Sequence, residues 1–497
     1  MSSVAQLSLL SETKENPYLP TLFMALVGKP FTKEDFEALW RKREMAARHP
    51  RFHQKVKPPK SEKEKTGSSG MFVSTQLPLE SHVKERAFPQ IFNLDLQQRL
   101  QSCLTTPIQV VNLLWEVEVS PGGDLGQSGA IPKDRATELI LEYEAKGQPE
   151  PTESLLLFRG HDALADGVSL AAAFIDLCDE AEQIKEDMKR EMQQEKLKEK
   201  KLSWWQKFIR LLRLLRYYTI GALEAFWHHW RLYRDTSENP FQQMEHLEDT
   251  TTEGERTLSW ATLSTVDEVK QVAESLTKDD EKVSINDVIV SCVSAAVSRQ
   301  MQEHQMTYEM DHDKTRYVKI PNKMNVIVPV HSEGGILKKG QTVGHRIGAF
   351  CASVPSDSTY TAAQRLELVH QSLYKVQQTP AIEMSRFGAK ILSWVPTSWA
   401  MSFMKQAQPN AAFIVTNSRG PSRRIHFAGR QVEVSQGFMP LPPGVPIGIT
   451  ISTYAGKLNI SITAEPWAVP DAQKFLSWIL DEYKFLYTES PVALEAV

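Results

Sequence analysis

One histidine and two carboxylates stand close together in a short polar stretch of this sequence. His161, Asp162 and Asp166 fall within the heptapeptide HDALADG, which ends at Gly167. A histidine or carboxylate beside an apolar core can take a proton from a substrate hydroxyl, because burial and neighbouring charges adjust its pKa. Ionised side chains are also costly to place there without a reason. The stretch therefore indicates general acid–base chemistry.

A strand and a helix must hold these residues in place. Leu155–Phe158 is an apolar run of strand length, and Gly160 ends it. Val168–Cys178 has apolar residues at the three- and four-residue spacing of a helix. The polar residues therefore lie in a strand-to-helix turn, where a rigid scaffold commonly carries reactive groups. We call residues 161–167 the HD turn.

The composition is that of a globular protein with no general attraction to nucleic acid. The 497 residues are 41% hydrophobic and 24% charged, with a net charge of −4, so no nucleic-acid partner is expected. The four cysteines lack the C-x-x-C spacing of metal or redox sites and predict reduced core residues of an intracellular protein. No zinc spacing or glycine-rich phosphate loop stands out, so no metal site is expected. Neither a signal peptide nor a spanning helix is predicted.

Three segments have charge patterns unlike the rest of the chain. Residues 57–70 have almost nothing to bury and predict a mobile loop. Residues 179–201 hold 15 charged residues in 23, which predicts a solvated helix that forms no core. Residues 203–234 place an aromatic, apolar helix face opposite basic residues, and basic residues outnumber acidic ones six to one. That pattern is typical of a helix lying in a membrane interface. The alternative is a helix packed on the protein's own core.

The HD turn resembles a known acyltransferase motif. HDALADG differs at one position from HHxxxDG, and it is most similar to the HHALxDGxS stretch of the wax ester synthase/diacylglycerol acyltransferase family. Further similarities lie in the second half of the chain, at SINDV (284–288), VPV (328–330) and TNSRGP (416–421).

The resemblance implies a role for each residue of the turn. In the family, the second histidine is the general base, the aspartate braces the loop and the glycine lets the chain turn. Here Asp162 stands at the position of the base, His161 matches the first histidine, and Asp166 and Gly167 match the last two positions. Either Asp162 faces the channel, or the turn relaxes by one position and His161 swings inward with Asp162 orienting it. We favour His161, because its unperturbed pKa suits the task.

The resemblance also implies a substrate-binding set in the second half of the chain. Asn286 and Asp287 would lie near the floor of the channel, although Asp287 also suits the first turn of a helix capped by Ser284. Asn417 and Ser418, in the segment similar to the family's SNVPGP, would complete the set.

The implied fold is α/β, with two chloramphenicol-acetyltransferase-like lobes of mixed sheets, a channel between them and a helical insertion. Residues 1–178, with the mobile loop, would form the N-terminal lobe. Residues 179–249 would hold the charged helix, the amphipathic membrane-interface helix and a linker, and residues 250–497 the C-terminal lobe.

The implied activity is O-acyl transfer from acyl-CoA to a long-chain alcohol or diacylglycerol. Acyl-CoA would be a co-substrate, with no permanently bound cofactor, and residues 203–234 would bind a membrane surface. The expected location is intracellular and peripheral, on the endoplasmic reticulum or lipid droplets in a eukaryote, or on the cytoplasmic membrane face in a bacterium. A second hypothesis is an inactive member of the fold that binds lipid or a partner at a membrane. A third, a soluble acyltransferase for a polar acceptor, requires residues 203–234 to be buried against the protein.

Overall fold

Two six-stranded sheets, each mixed, form the framework of the protein in a computed structural model. The structure describes residues 3–13, 16–57, 71–75, 77–89, 94–197, 212, 214–234, 241, 256–277, 282–310, 320–331, 341–392, 394–395, 399, 402 and 411–490. The predicted mobile loop lies almost wholly outside the described residues, as do the first part of the amphipathic segment and most of the linker.

The strands alternate with helices through most of the described chain. The strands are β1 (Thr21–Gly28), β2 (Gln54–Lys57), β3 (Met71–Ser74), β4 (Val83–Glu85), β5 (Trp115–Gly123), β6 (Thr152–Gly160), β7 (Thr257–Thr265), β8 (Lys323–His331), β9 (Ile347–Pro355), β10 (Phe413–Arg419), β11 (His426–Phe427), β12 (Arg430–Phe438), β13 (Ile447–Tyr454) and β14 (Lys457–Ala464). The helices are α1 (Ser3–Ser11), α2 (Lys33–Lys42), α3 (Met45–Arg48), α4 (Leu94–Thr105), α5 (Lys133–Ala145), α6 (Gly167–Ile175), α7 (Ala181–Leu197), α8 (Ile220–Arg234), α9 (Val266–Ser275), α10 (Ile285–Met310), α11 (Ala362–Gln377), α12 (Ala381–Leu392) and α13 (Ala472–Glu489).

Sheet I has the strand order β11-β12-β1-β6-β5-β4. Its two central strands are continuous apolar runs, because both faces of the sheet are covered; Leu155–Phe158 of β6 lies opposite Leu22–Ala25 of β1. Strands β11 and β12 come from the second half of the chain; β12 pairs with β1, and β11 pairs with β12. The two halves therefore share sheet I, and the division of the chain into lobes at residues 178 and 250 stays a prediction.

Sheet II has the order β7-β14-β13-β10-β8-β9. Parallel pairing joins β10 to β13 and to β8, whereas the remaining pairs are antiparallel. The helices α10, α11 and α13 pack on this sheet and share its apolar core. The expected α/β fold of two mixed sheets is confirmed.

Strand β5 continues through Pro121–Gly123, because a register shift after Ser120 absorbs the extra residues. One local prediction was wrong. Residues 179–201 were expected to contribute nothing to a core, but Ile184 and Met188 of α7 are buried in the core of sheet I. The apolar residues of this charged helix fall at i and i+4, so one narrow face packs while the rest is solvated.

Helix α8 covers the free edge of sheet II. Nε2 of His228 donates to the carbonyl of Cys351, 2.9 Å away, and Nε2 of His229 accepts the N–H of the same residue at 3.3 Å. Cys351 lies on β9, whose other edge pairs with β8. The histidine pair thus satisfies the backbone N–H and carbonyl of Cys351 at an exposed strand edge. Among the described helices, none has the length and apolarity needed to cross a bilayer.

Candidate active site

A mostly apolar cavity of about 270 Å³ lies between the two sheets. Met24 and Phe158 line it from sheet I, and Thr416 and Thr450 line it from sheet II. The HD turn reaches this cavity through Asp162, Asp166 and Gly167.

The HD turn is fixed by backbone hydrogen bonds to segments on both sides. The N–H of His161 donates to the carbonyl of Leu114 at 2.7 Å, and the N–H of Asp162 donates to that of Tyr18 at 2.8 Å. The turn closes on itself where the N–H of Leu164 donates to the carbonyl of His161. These bonds decide which side chain faces the cavity.

Asp162 faces the cavity and is held by partners from both ends of the chain. Its Oδ2 accepts a hydrogen bond from the hydroxyl of Ser8 and lies 3.8 Å from Nε2 of His345. The same nitrogen is 2.6 Å from the Asp162 carbonyl oxygen. Burial alone would raise the pKa of the carboxyl, but hydrogen bonds from His345 and Ser8 outweigh it and hold the pKa below its usual range. Asp162 is therefore an anion at neutral pH.

His161 is fully buried and engaged at both ring nitrogens. Nδ1 accepts the N–H of Ala163 at 2.9 Å, so the ring proton is on Nε2. Nε2 lies 2.9 Å from Oε2 of Glu12. The structure thus has the arrangement in which Asp162, not His161, lines the cavity. The favoured alternative, in which His161 swings inward, is not the arrangement observed.

Asp166 joins the HD turn to the second half of the chain. Its Oδ1 caps α6 by accepting the N–H of Ser169 at 2.7 Å, and its Oδ2 accepts the N–H of Arg346, also at 2.7 Å. The carboxylate therefore braces the loop through these two hydrogen bonds. Gly167 does not turn the chain through a left-handed conformation. A Cβ at Gly167 would meet no atom within 4 Å, so the glycine leaves open space at the cavity wall.

The four candidate substrate-binding residues of the second half do not all reach the cavity, and on β10 successive side chains point to opposite faces. Ser418 lines the cavity, whereas Asn417 points to the opposite face, where its Nδ2 donates to Oδ1 of Asn286 at 2.8 Å. Asp287 accepts the N–H of Ser284 at 2.7 Å and lies 2.9 Å from Nδ1 of His370. Asp287 thus caps α10 and binds a neighbouring helix, instead of reaching the cavity.

Two cavity hydroxyls were missed by the sequence analysis. The hydroxyl of Tyr18 and that of Ser452 are buried and find no hydrogen-bond partner among the described residues. Both residues line the cavity. Burial raises the pKa of Tyr18, and the charge of Asp162 raises it further, so the phenol keeps its proton and can donate it in a hydrogen bond. The only signal in the sequence is the segment NPYLP, which predicts a turn and no chemistry.

Ser8, Glu12 and His345 were also missed as members of the site. They lie 149 to 183 residues from their partners in the HD turn, and α1, the residue that follows it and the segment before β9 bring them there. A serine, a glutamate and a histidine at these positions form no recognisable sequence motif. In the described part of the chain, no group of three histidine, cysteine or acidic residues is arranged to hold a metal ion.

Comparisons of sequence and of structure both find wax ester synthase/diacylglycerol acyltransferases among the similar proteins. The model of the WS/DGAT C-terminal domain matches residues 343–486. Wax ester synthase/diacylglycerol acyltransferase 11 of Arabidopsis thaliana is 21% identical over 225 residues, which are 42% of this chain and 45% of that protein. The matched segment thus spans less than half the length of this curated relative.

Two solved structures have a similar fold over nearly the whole chain. The wax ester synthase/diacylglycerol acyltransferase of Marinobacter aquaeolei VT8 has a TM-score of 0.55 and 15% identity over 98% of both chains. The TRI3 trichothecene 15-O-acetyltransferase of Fusarium sporotrichioides has a TM-score of 0.59 and 10% identity, covering 98% of this chain and 94% of that one. The expected resemblance is therefore confirmed: residues 343–486 match the WS/DGAT C-terminal domain, a curated wax ester synthase/diacylglycerol acyltransferase is similar in sequence, and the chain has the fold of these two solved acyltransferases.

Proposed function

We propose that this protein is an acyl-CoA-dependent O-acyltransferase that moves a fatty acyl group to a long-chain alcohol or diacylglycerol. One observation carries the proposal: a carboxylate of the HD turn, Asp162, lines a mostly apolar cavity between two sheets. Apolar walls suit an acyl chain, because transferring it from water is favourable. A few polar groups at one point of such a cavity fix the reacting end of the substrate.

The polar residues that line the cavity have different roles in acyl transfer. Asp162 accepts the proton of the acceptor hydroxyl while the hydroxyl oxygen bonds to the acyl carbon. The carbon–sulfur bond of the thioester breaks, and the proton passes to the departing thiolate of CoA. The partnerless hydroxyls of Tyr18 and Ser452 donate hydrogen bonds to the carbonyl oxygen as it becomes negative.

His161 and His345 act on Asp162 in this scheme and do not touch the substrate. His345 donates to Asp162, and His161 holds the turn through Glu12 and Ala163. Both are positioning residues. A carboxylate whose pKa lies below its usual range is a weak base, so the turnover expected is slow compared with that of a histidine base.

That same low pKa favours a second candidate function. A carboxylate held by Ser8 and His345 in its ionised form is stable without a substrate, as in a protein that binds lipid but does not turn it over. The apolar cavity serves binding equally well. We rank this candidate second, because the proteins to which the chain is similar are named as acyltransferases.

One experiment separates the two candidates. The purified full-length protein is incubated with labelled acyl-CoA and a panel of long-chain alcohols and diacylglycerol, and products are identified by mass. An acyl ester that forms with the wild type and not with Asp162→Asn supports the acyltransferase. Stoichiometric retention of the acyl chain without any ester supports the lipid-binding protein.

The partner proposed for residues 203–234 is a membrane surface, and the location proposed is peripheral. In the described part, Phe226, Trp227 and Trp230 of α8 are exposed. The hypothesis of a soluble enzyme needed this segment to be buried against the protein, and only small or polar residues such as Ala225 and His229 are turned inward.

A further inference from the structure

A second helix exposes large apolar side chains next to α8. Phe387 of α12 is 64% exposed, and Trp394 and Trp399, which follow the helix, are each 71% exposed. Of the nineteen large apolar residues exposed in the described chain, thirteen lie in the two segments 212–230 and 387–399. Such a concentration is unusual for a soluble surface and marks an interaction site.

Both helices stand on the same edge strand. Ala349 of β9 donates its N–H to the hydroxyl of Ser385 in α12 at 2.9 Å, and Cys351 of β9 binds the histidine pair of α8. Gly348 permits the close approach, since a Cβ there would lie 2.7 Å from atoms of Ile382. The two helices also pack against each other, and Tyr217, which precedes α8, donates a hydrogen bond to Glu383 of α12.

Each helix buries an alanine in the core of sheet II, Ala225 of α8 and Ala381 of α12. Ile382 and Met384 of α12 are partly buried against the same core. The large aromatic residues of both helices lie on the exposed side. We define the exposed apolar residues of segments 212–230 and 387–399 as the aromatic surface.

Charge favours an anionic partner. The described residues of segments 212–234 and 381–399 include five basic and two acidic residues, whereas the whole chain has a net charge of −4. One of those acids, Glu383, is bonded to Tyr217. Nζ of Lys390 lies 5.6 Å from the ring centroid of Trp394, so a cation and an indole stand together at the surface. Tryptophan beside basic residues is the composition of a membrane-interface anchor.

The aromatic surface is also linked to the cavity. Ile347, the first residue of β9, lines the cavity, and the next residue contacts α12. Helix α1 packs against α12 and carries Ser8, which binds Asp162. An apolar substrate that resides in a lipid surface would thus meet the cavity beside the docking site.

We propose that α12 and the following tryptophans form, together with α8, one composite surface that docks the protein on an anionic lipid bilayer, without crossing it. The partner is the bilayer rather than a second copy of the chain, because the surface is basic as well as aromatic and would repel itself. The proposal extends the membrane attachment expected of residues 203–234 to a segment that had no assigned role. It does not depend on turnover.

The test is vesicle flotation of the full-length protein with phosphatidylcholine vesicles, with and without phosphatidylserine. The double variant Trp394→Ala/Trp399→Ala should lose about tenfold or more in affinity, since two indoles no longer enter the interface. Lys390→Glu should weaken binding only to the anionic vesicles, and less so in high salt. Phe485→Ala, at an exposed aromatic residue outside the surface, is the matched control and should bind like the wild type.

Three results would overturn the proposal. The first is unchanged vesicle binding by the double variant, with α8 intact. The second is a change in oligomeric state by light scattering in place of a change in vesicle binding. The third is equal weakening of vesicle binding by the control variant Phe485→Ala.

Trp394→Phe/Trp399→Phe keeps aromatic rings and should recover most of the binding, which separates docking from misfolding. Asp162→Asn should bind vesicles like the wild type, so the vesicle-binding assay can be interpreted even if the protein has no acyltransferase activity.

Discussion

Nε2 of His161 lies 2.9 Å from Oε2 of Glu12, while Nδ1 of the same ring accepts the N–H of Ala163. The histidine that suits proton transfer best by its ordinary pKa is therefore engaged at both nitrogens. The next residue, Asp162, has the access to the cavity that a base requires. The chemistry proposed for this turn therefore depends on Asp162, which lines the cavity, and not on His161.

Removing the hydroxyl of Ser8 should make Asp162 a stronger base. Ser8 is one of the groups that hold the pKa of Asp162 below its usual range, so Ser8→Ala should raise that pKa. The acid limb of kcat/KM should then move to higher pH, because Asp162 must be ionised to accept a proton. The pH–rate profiles of the wild type and Ser8→Ala check this, with Ser102→Ala on the exposed side of α4 as the control. An acid limb that stays in place would contradict the role given to Ser8.

The two hydrogen bonds that Asp166 accepts should contribute measurably to the free energy of unfolding. Asp166→Ala removes a helix cap and leaves the N–H groups of Ser169 and Arg346 without their acceptor. Losses of about 1 kcal/mol for a cap and about 1 to 3 kcal/mol for an unpaired buried group add to roughly 2 to 4 kcal/mol. Urea unfolding measures the free energy. Asp166→Asn keeps one acceptor oxygen and should lose less, and Asp134→Ala on an exposed first turn should change little. Equal losses in all three variants would refute the brace.

A larger side chain at Gly167 should shorten the acyl chain that the cavity accepts. The site has open space, so Gly167→Leu should fold, but its side chain would extend into the cavity. The affinity for long-chain acyl-CoA should fall while that for short-chain acyl-CoA changes less, and Gly167→Ala should lie between the variant and the wild type. Binding titrations with a series of chain lengths give the comparison. Uniform weakening for all lengths would mean that the residue does not border the acyl chain.

Docking of α8 on β9 should weaken in acid. Burial lowers the pKa of both His228 and His229 below the ordinary value of 6.5. The ring of His229 also accepts the N–H of Cys351 only when its Nε2 is unprotonated, so protonation of His229 breaks a hydrogen bond, whereas His228 can still donate to the carbonyl of Cys351. The folded arrangement thus takes up a proton less readily than the unfolded chain. Its contribution to stability is complete above about pH 6.5 and is lost as the pH falls through the lower folded pKa.

Hydrogen exchange of residues 220–231 and of β9 measures that docking across the pH range. Protection should fall below pH 6.5 in the wild type. His229→Gln supplies an acceptor oxygen that does not titrate in this range, so its protection should fall less in acid, with the remaining loss due to His228. Protection that is independent of pH in both proteins would show that the histidine does not control docking.

The elements around the HD turn could be predicted because local pattern decides them. The apolar run Leu155–Phe158 is a central strand, and the periodic stretch after Gly167 is a helix. The second half followed the same rule, with α10 beginning after Ser284 and β8 coinciding with the predicted KMNVIVPV strand. The resemblance to family motifs supplied the pairing of two mixed sheets, which periodicity alone does not contain.

The side-chain partners of the site could not be predicted, because tertiary contacts choose them. Nothing local to Ser8, Glu12 or His345 indicates that each would bind the HD turn. The choice between His161 and Asp162 depended on backbone bonds to Leu114 and Tyr18, which lie on other segments. Likewise, Asp287 could have reached a channel or capped a helix, and its contact with His370 could not be anticipated from spacing.

The central claim is that Asp162 is the base of an acyltransferase, and single-turnover kinetics of two variants test it most directly. Asp162→Asn keeps the size of the side chain and removes its basicity, and it should slow acyl transfer to a long-chain alcohol by about 10²- to 10⁴-fold. His161→Gln should slow it far less, since that ring does not line the cavity. With both variants confirmed as folded and able to bind acyl-CoA, the opposite order of rates would contradict the account and return the catalytic role to His161.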